Sequence, residues 1–360
     1  MNERILVRCV NWLGDAVMST PALQRLREAK SGAHITLLSH EKLADLWKGQ
    51  PYSDAVITFA PDEGVTTVAK RLREQKFDIG IAFPNSIRSG LELRLAGIPK
   101  RVGYSGGIRN FLLNHRVARR TGAVKMHKKS DAEIKHAADL PRKTDVIPQT
   151  AHHIHDYLGI VAAVGGSLGA LPPKILVNEN EAVAARKKFD IARDEVVFGL
   201  NPGAEYGSAK RWLKERFAAA AAKLQMRYSA RWIIFGGIAD REVCAWIAEQ
   251  IAMFAPDKKP INLAGQTTLR EVAALFKSCR LVLTNDTGPM HLANAVGAPV
   301  VVPFGSTSSE LTGPIFGRSR ILQSQVGCSP CFRRECPIDF RCMKSIDVSA
   351  AVDAADSLLK

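Results

Sequence analysis

A chain of 360 residues is about twice the length of a typical domain, so two domains are predicted, each with room for its own core. With 46% hydrophobic and 24% charged residues it falls outside the range of intrinsic disorder, and 27 Gly and 18 Pro are too few for a low-complexity chain. Fifty Lys and Arg against thirty-five Asp and Glu leave a net charge of +15, which predicts an anionic partner: nucleic acid, an acidic membrane surface or a phosphorylated substrate.

The opening MNERILVRCVNWLGDAV carries Glu3 and Asp15 and no long apolar core, which argues against a secretory signal and predicts a cytoplasmic chain. No run approaches 18 uninterrupted apolar residues, so membrane contact, if made, is peripheral. Seven Cys, an odd number, read as free thiols rather than as a disulfide framework.

Short β-branched runs alternate with helical patterns from end to end, which predicts an α/β fold of parallel sheets covered by crossover helices. In the first half the strands are expected at 5–10, 34–40, 55–59, 77–83 and 100–105, with helices such as ALQRLREAK and VAKRLREQ between them. The alternation restarts at 195–203, 231–237, 261–265, 280–286 and 298–305. GGSLGALPPK (165–174) breaks both periodicities and is the expected linker, giving domains at 1–168 and 174–345. Two doubly wound, Rossmann-like domains facing a ligand cleft follow.

After the first strand, VNWLGDAVMSTP offers only Gly14 where a dinucleotide-binding turn needs three glycines, and Trp12 and Leu13 would obstruct a pyrophosphate. A nicotinamide-dependent oxidoreductase is therefore disfavoured. Asp15 stands at the start of a helix, either as a first-turn acid complementing the helix dipole or as a general base. Residues 88–144 then hold fourteen Lys and Arg against four acids, two-thirds of the net surplus, and are expected to form a basic region on the first domain. Nucleic-acid binding is a remote alternative, since Phe111 is the sole aromatic between Tyr104 and Arg142.

In the second half, LNPGAEYGSAKRWLKERF places Lys210 after a Gly-containing turn, in reach of a phosphate or simply solvated. FGGIADREV ends a strand in two glycines and follows with Asp240 and Glu242, either of which suits a ribose or a helix cap. LVLTNDTGPMHLANAVGAPVVVPFGST stops a strand at Asn285-Asp286, turns through Thr287-Gly288 and starts a helix at Pro289; its free N–H groups suit a diphosphate, with Ser306 and Thr307 facing the same crevice. His291 lies one turn in, as a core histidine or a ligand contact. Cys328, Cys331, Cys336 and Cys342 have C-x2-C-x4-C-x5-C spacing, which reads either as a zinc or iron–sulfur site or as a compact loop of reduced thiols.

VNWLGDAVMSTPAL, AKRWLKERF, TNDTGPMHLANAVGAPVVVPFG and GCSPCFRRECP with RCM together resemble the glycosyltransferase family 9 heptosyltransferases of lipopolysaccharide synthesis, over essentially the whole chain. The resemblance implies a GT-B fold, with acceptor on the N-terminal domain, nucleotide sugar on the C-terminal one, and the last helix, about 346–360, packing back on the first domain. It implies Asp15 as general base and Lys210 on the leaving diphosphate. Donor contacts are implied at Asp286, Thr287, Gly288 and His291, with Asp240 or Glu242 on the nucleoside. Acceptor contacts are implied at Asn11, Gly14, Lys125, Lys128 and Lys129.

The implied reaction is inverting transfer of heptose from ADP-heptose to a phosphorylated Kdo-lipid A core. The Cys-rich tail is most similar to the branch that adds the second core heptose, and addition of the first or a later heptose is the alternative. No cofactor is required, no D-x-D motif implies Mg2+, and no metal ligand is assigned. A monomer working peripherally at the anionic inner face of the cytoplasmic membrane, without nucleic acid, completes the expectation.

Overall fold

Ile5, Leu6, Val7 and Arg8 are all buried in β1 (Arg4–Arg8), as a strand covered on both faces requires. In the computed structural model, which describes residues 2–143 and 146–360, β1 lies between β2 (His34–His40) and β4 (Ile79–Ala82). With β3 (Ala55–Phe59), β5 (Lys100–Tyr104) and β6 (His115–Val117) they form a parallel sheet of order β3-β2-β1-β4-β5-β6. A second parallel sheet comprises β7 (Val197–Asn201), β8 (Arg231–Ile234), β9 (Ile261–Asn262), β10 (Leu281–Thr284), β11 (Val300–Phe304) and β12 (Ser319–Gln323). Its order is β12-β11-β10-β7-β8-β9. Counted from its own first strand, the second sheet repeats the order of the first, the doubly wound arrangement in which the order reverses beside β1 and β7. Ligands of such sheets bind outside the carboxyl ends of the strands at that reversal.

The chain divides into two compact units: Met1–Ala123 with Pro148–Leu176, and Val124–Ile147 with Val177–Lys360. This corrects the expected boundaries in three places. The stretch 165–174 belongs to the first unit, because side chains substitute there for a sheet ladder. Arg25 Nε donates to Gly169 O at 2.9 Å, the Lys174 N–H to Thr20 Oγ1 at 3.0 Å, and Gln50 brackets Leu176 through both amide groups at 2.9 and 3.1 Å.

The C-terminal part of the basic region, from Val124 onward, belongs to the second unit. The helix Asp131–Ala137, started by a Ser130–Glu133 capping box, seats Ile134 against Cys328 and Cys331. Arg333 pairs with Asp131 at 2.7 Å, Arg341 with Asp139, and Arg142 with Glu310 at 2.9 Å.

The final helix, Val348–Leu359, belongs to the second unit, which corrects its expected place on the first domain. It buries Ala351, Val352, Ala355 and Leu358 in the apolar core that also holds Phe217, Trp232 and Val301. Tyr228 and Arg227 hold its Asp356, the tyrosine at 2.8 Å, and Arg320 Nε holds Ser357 at 2.9 Å. Among the described residues no helix is long and apolar enough to cross a membrane.

Candidate active site

In the first unit the helix Leu13–Met18 begins at Trp12, whose extended backbone is the N-cap, so Asp15 is a first-turn residue and not the cap. Its Oδ1 accepts a hydrogen bond of 3.0 Å from Tyr157 Oη, which reaches it from the helix Ile154–Ala162. Tyr157 is buried and packs on Phe83, ring centroids 5.3 Å apart. Burial, and then the neighbouring Asp15 carboxylate, push its hydroxyl well above the usual tyrosine range, so Tyr157 remains a donor to Asp15.

Beneath this turn lies a buried ion pair. Arg8 Nε meets Glu92 Oε2 at 2.8 Å, and Arg88 Nε meets Oε1 of the same carboxylate at 2.8 Å. Glu92 and Arg8 are both hidden from solvent, and Phe59 lies under both guanidinium groups, 4.2 Å from that of Arg8. Arg8 Nη1 also donates to Asn11 Oδ1 at 3.0 Å and to the Cys9 carbonyl. The predicted acceptor residue Asn11 therefore turns its amide oxygen inward. Gly14, half-buried, follows in the same turn.

Lys125, Lys128 and Lys129 lie in the second unit, which corrects their placement on the acceptor-side domain. Lys125 and Lys128 are exposed, whereas Lys129 Nζ donates to the Gly327 and Cys328 carbonyls at 3.2 and 3.3 Å.

In the second unit four loops meet at the carboxyl ends of β7, β8, β10 and β11. Asn285 ties two of them: its Oδ1 accepts from the Trp212 N–H at 2.9 Å and its Nδ2 donates to Pro202 O at 2.7 Å. This holds the turn Ser208–Lys210 so that Lys210 Nζ pairs with Asp286 Oδ2 at 2.6 Å, and Thr307 Oγ1 donates to the same oxygen at 2.5 Å. Asp286 is 2% exposed. Thr287 then caps the helix Gly288–Ala295 with extended backbone and no side-chain bond, Pro289 sits in its first turn, and His291 is buried. The structure therefore brings Lys210, Asp286, Thr287, Gly288 and His291 together.

Asp240 joins them: its Oδ2 accepts from the Gly237 N–H at 3.0 Å, and Arg211 Nη2 lies 3.5 Å from Oδ1. It approaches the loop after β7 so closely that a Cβ on Gly203 would stand 2.4 Å from Asp240 Oδ2. Glu242, by contrast, is exposed on the first turn of the helix Arg241–Phe254.

The Cys-rich segment braces these loops. The Arg334 carbonyl accepts from the Ala209 N–H at 2.9 Å and the Phe332 carbonyl from Tyr206 Oη at 3.0 Å. The Cys331 and Phe332 N–H groups donate to Ser306 O at 3.1 and 2.7 Å. Lys210 Nζ lies 5.0 Å from the centroid of the Tyr206 ring. Cys328, Cys331 and Cys342 are buried free thiols and Cys336 is half-buried. Burial and the neighbouring sulfurs push Cys342 up to about 12. Among the described residues no group of three or more His, Cys, Asp or Glu side chains is placed to hold a metal ion.

Tyr157, Tyr206 and the Arg8–Glu92 pair were not singled out from the sequence. Neither tyrosine stands out in its surroundings. Arg8 does, because a charge inside the apolar run ILVRCV must find a buried partner.

Residues 65–340 match the family described as Glycosyltransferase family 9 (heptosyltransferase). The lipopolysaccharide heptosyltransferase 2 of Escherichia coli strain K12 is 28% identical over 90% of this chain and 89% of its own length. The lipooligosaccharide heptosyltransferase 2 of Campylobacter jejuni serotype O:2 is 26% identical over 99% of this chain and 98% of its own. The solved structure of E. coli ADP-heptose lipopolysaccharide heptosyltransferase II superposes with a TM-score of 0.79 at 25% identity, covering 99% of this chain and 98% of that one. Two Rossmann-like sheets with this match define a GT-B glycosyltransferase. The chain belongs to glycosyltransferase family 9, the heptosyltransferases.

Proposed function

We propose that the chain transfers L-glycero-D-manno-heptose from ADP-heptose, with inversion, to the first heptose of the phosphorylated Kdo-lipid A core, the heptosyltransferase II reaction. What carries this reading is its similarity, over nearly the full length of both chains, to relatives named heptosyltransferase 2. The test is a transfer assay with acceptors bearing zero, one or two heptoses. Product from the one-heptose acceptor alone is the expected result, and product from the heptose-free acceptor instead would reassign the chain to the first transfer.

In this reading Asp15, oriented by Tyr157, takes the proton of the acceptor hydroxyl. The resulting oxygen attacks the anomeric carbon from the face opposite ADP, the bond from that carbon to the diphosphate breaks, and ADP departs with the charge. Lys210 and the N–H groups at the start of the helix Gly288–Ala295 neutralise that charge as it grows. Asp286, already engaged by Lys210 and Thr307, acts by positioning the ammonium, because a second anion facing the diphosphate would oppose binding. Asp240 takes the ribose and His291 lines the donor site, while Asn11 and Gly14 face the acceptor. Charge neutralisation comes from the chain itself, so transfer proceeds without a metal ion; loss of activity in EDTA, restored by Mg2+, would overturn that part.

A further inference from the structure

The helix Ile87–Leu95 turns Ser89, Gly90, Glu92 and Leu93 inward. A surface helix normally carries polar residues on its other side. Here the outward stripe is Ile87, Leu91 and Leu95, spaced four residues apart, with Ile87 48% and Leu95 37% exposed. The short turn Gly107–Phe111 is fastened beside it: Arg94 donates to the Phe111 carbonyl, and Arg101 Nε to Leu112 O at 2.8 Å. That turn presents Ile108 at 63% and Phe111 at 77% exposure. Large apolar side chains thus cluster where a soluble surface would not hold them.

The charge of this stretch of chain is strongly lopsided. Residues 79–123 hold eight Lys and Arg and a single acid, Glu92. That acid is fully buried and neutralised from within by Arg8 and Arg88, so this stretch exposes no carboxylate. A second copy of the chain is a poor occupant, because a two-fold contact would set these cations against one another. An apolar tip with Arg94 and Arg101 fastened beside it fits an anionic lipid surface, where aromatic and aliphatic side chains enter the headgroup and acyl boundary and basic ones meet the headgroups.

We propose that the helix Ile87–Leu95 and the turn Gly107–Phe111 are the surface by which the first unit docks on an anionic bilayer, with Ile108 and Phe111 inserted. The inference rests on the reading above that the acceptor is a lipid held in a membrane, and it moves the docking site from Lys125, Lys128 and Lys129 to the first unit.

The test is co-sedimentation of the full chain with vesicles of phosphatidylglycerol and phosphatidylcholine, or of phosphatidylcholine alone. The chain is expected to pellet with the anionic vesicles and to stay in solution with the neutral ones. Ile108→Ser with Phe111→Ser should weaken partitioning by about tenfold or more while thermal melting is unchanged, and Ile108→Trp should strengthen it. Failure to bind anionic vesicles, equal binding to both kinds, undiminished binding by the double variant, or a dimer that the double variant dissolves would each overturn the proposal. Transfer to a delipidated core oligosaccharide separates the two readings. The double variant should be as active as the parent there, and a parent inactive on that acceptor would count against the heptosyl-transfer reading while leaving the vesicle result intact.

Discussion

Lys210 and Asp286 sit 2.6 Å apart with side chains 13% and 3% exposed, so the cation assigned to the leaving group is held in place by a buried anion. Such a pair fixes geometry more than it adds stability, and removing one partner leaves the other buried and unpaired.

Lys210→Met should therefore lower kcat by about a hundredfold or more and destabilise the fold by roughly 3 kcal/mol. Adding Asp286→Leu should return most of the stability and none of the activity. Steady-state kinetics and thermal melts of the two variants measure this; recovery of turnover in the double variant would show that Lys210 does not serve the leaving group.

Asp15→Asn should abolish transfer while ADP-heptose binding, measured by calorimetry, stays near that of the parent. Tyr157→Phe removes one hydrogen bond to the base and should lower kcat by about tenfold, with donor binding again unchanged. A loss of donor binding in either variant would make Asp15 a structural residue.

Gly203 and Asp240 approach too closely for a side chain at 203. Gly203→Ala should push the carboxylate aside and raise the KM for ADP-heptose by about tenfold, as should Asp240→Asn. Glu242→Gln should have no effect, since Glu242 projects into solvent. An equal rise from Glu242→Gln would reverse the assignment of the nucleoside contact.

The thiols of Cys9, Cys244, Cys279 and Cys342 are raised by burial to about 12 from an ordinary value of 9.0. The unfolded chain therefore loses these protons first, and the stabilisation, complete below pH 9, is lost as pH rises toward 12. Melting temperature should fall over that window, and Cys279→Ala should flatten the fall. Iodoacetamide at pH 8 should label Cys336 first and the buried thiols only after denaturation; rapid labelling of Cys279 in the native chain would contradict its burial.

The sequence made the central strands legible because each is a continuous apolar run between turn residues. It missed β6 and β12, whose HRV and SRILQ segments lie at sheet edges, have one strand neighbour each and need no such run. The donor loops were readable from local motifs, since strand, turn and helix start lie within a few residues. The partners were not: Tyr157 is 142 residues from Asp15, and Arg333 is 202 from Asp131. The last helix showed its apolar period plainly, but no local pattern says which sheet it will cover.

Neither unit is an unbroken stretch of chain, because the polypeptide passes from one to the other after Ala123, Ile147 and Leu176. A gene exchange breaking at Val177 would deliver a second half without the helix that Cys328 and Cys331 receive, and a first half trailing a segment whose seat is missing. An exchange that keeps both units whole needs breakpoints on either side of Val124–Ile147 as well as at Val177, so no single crossover parts one unit cleanly from the other.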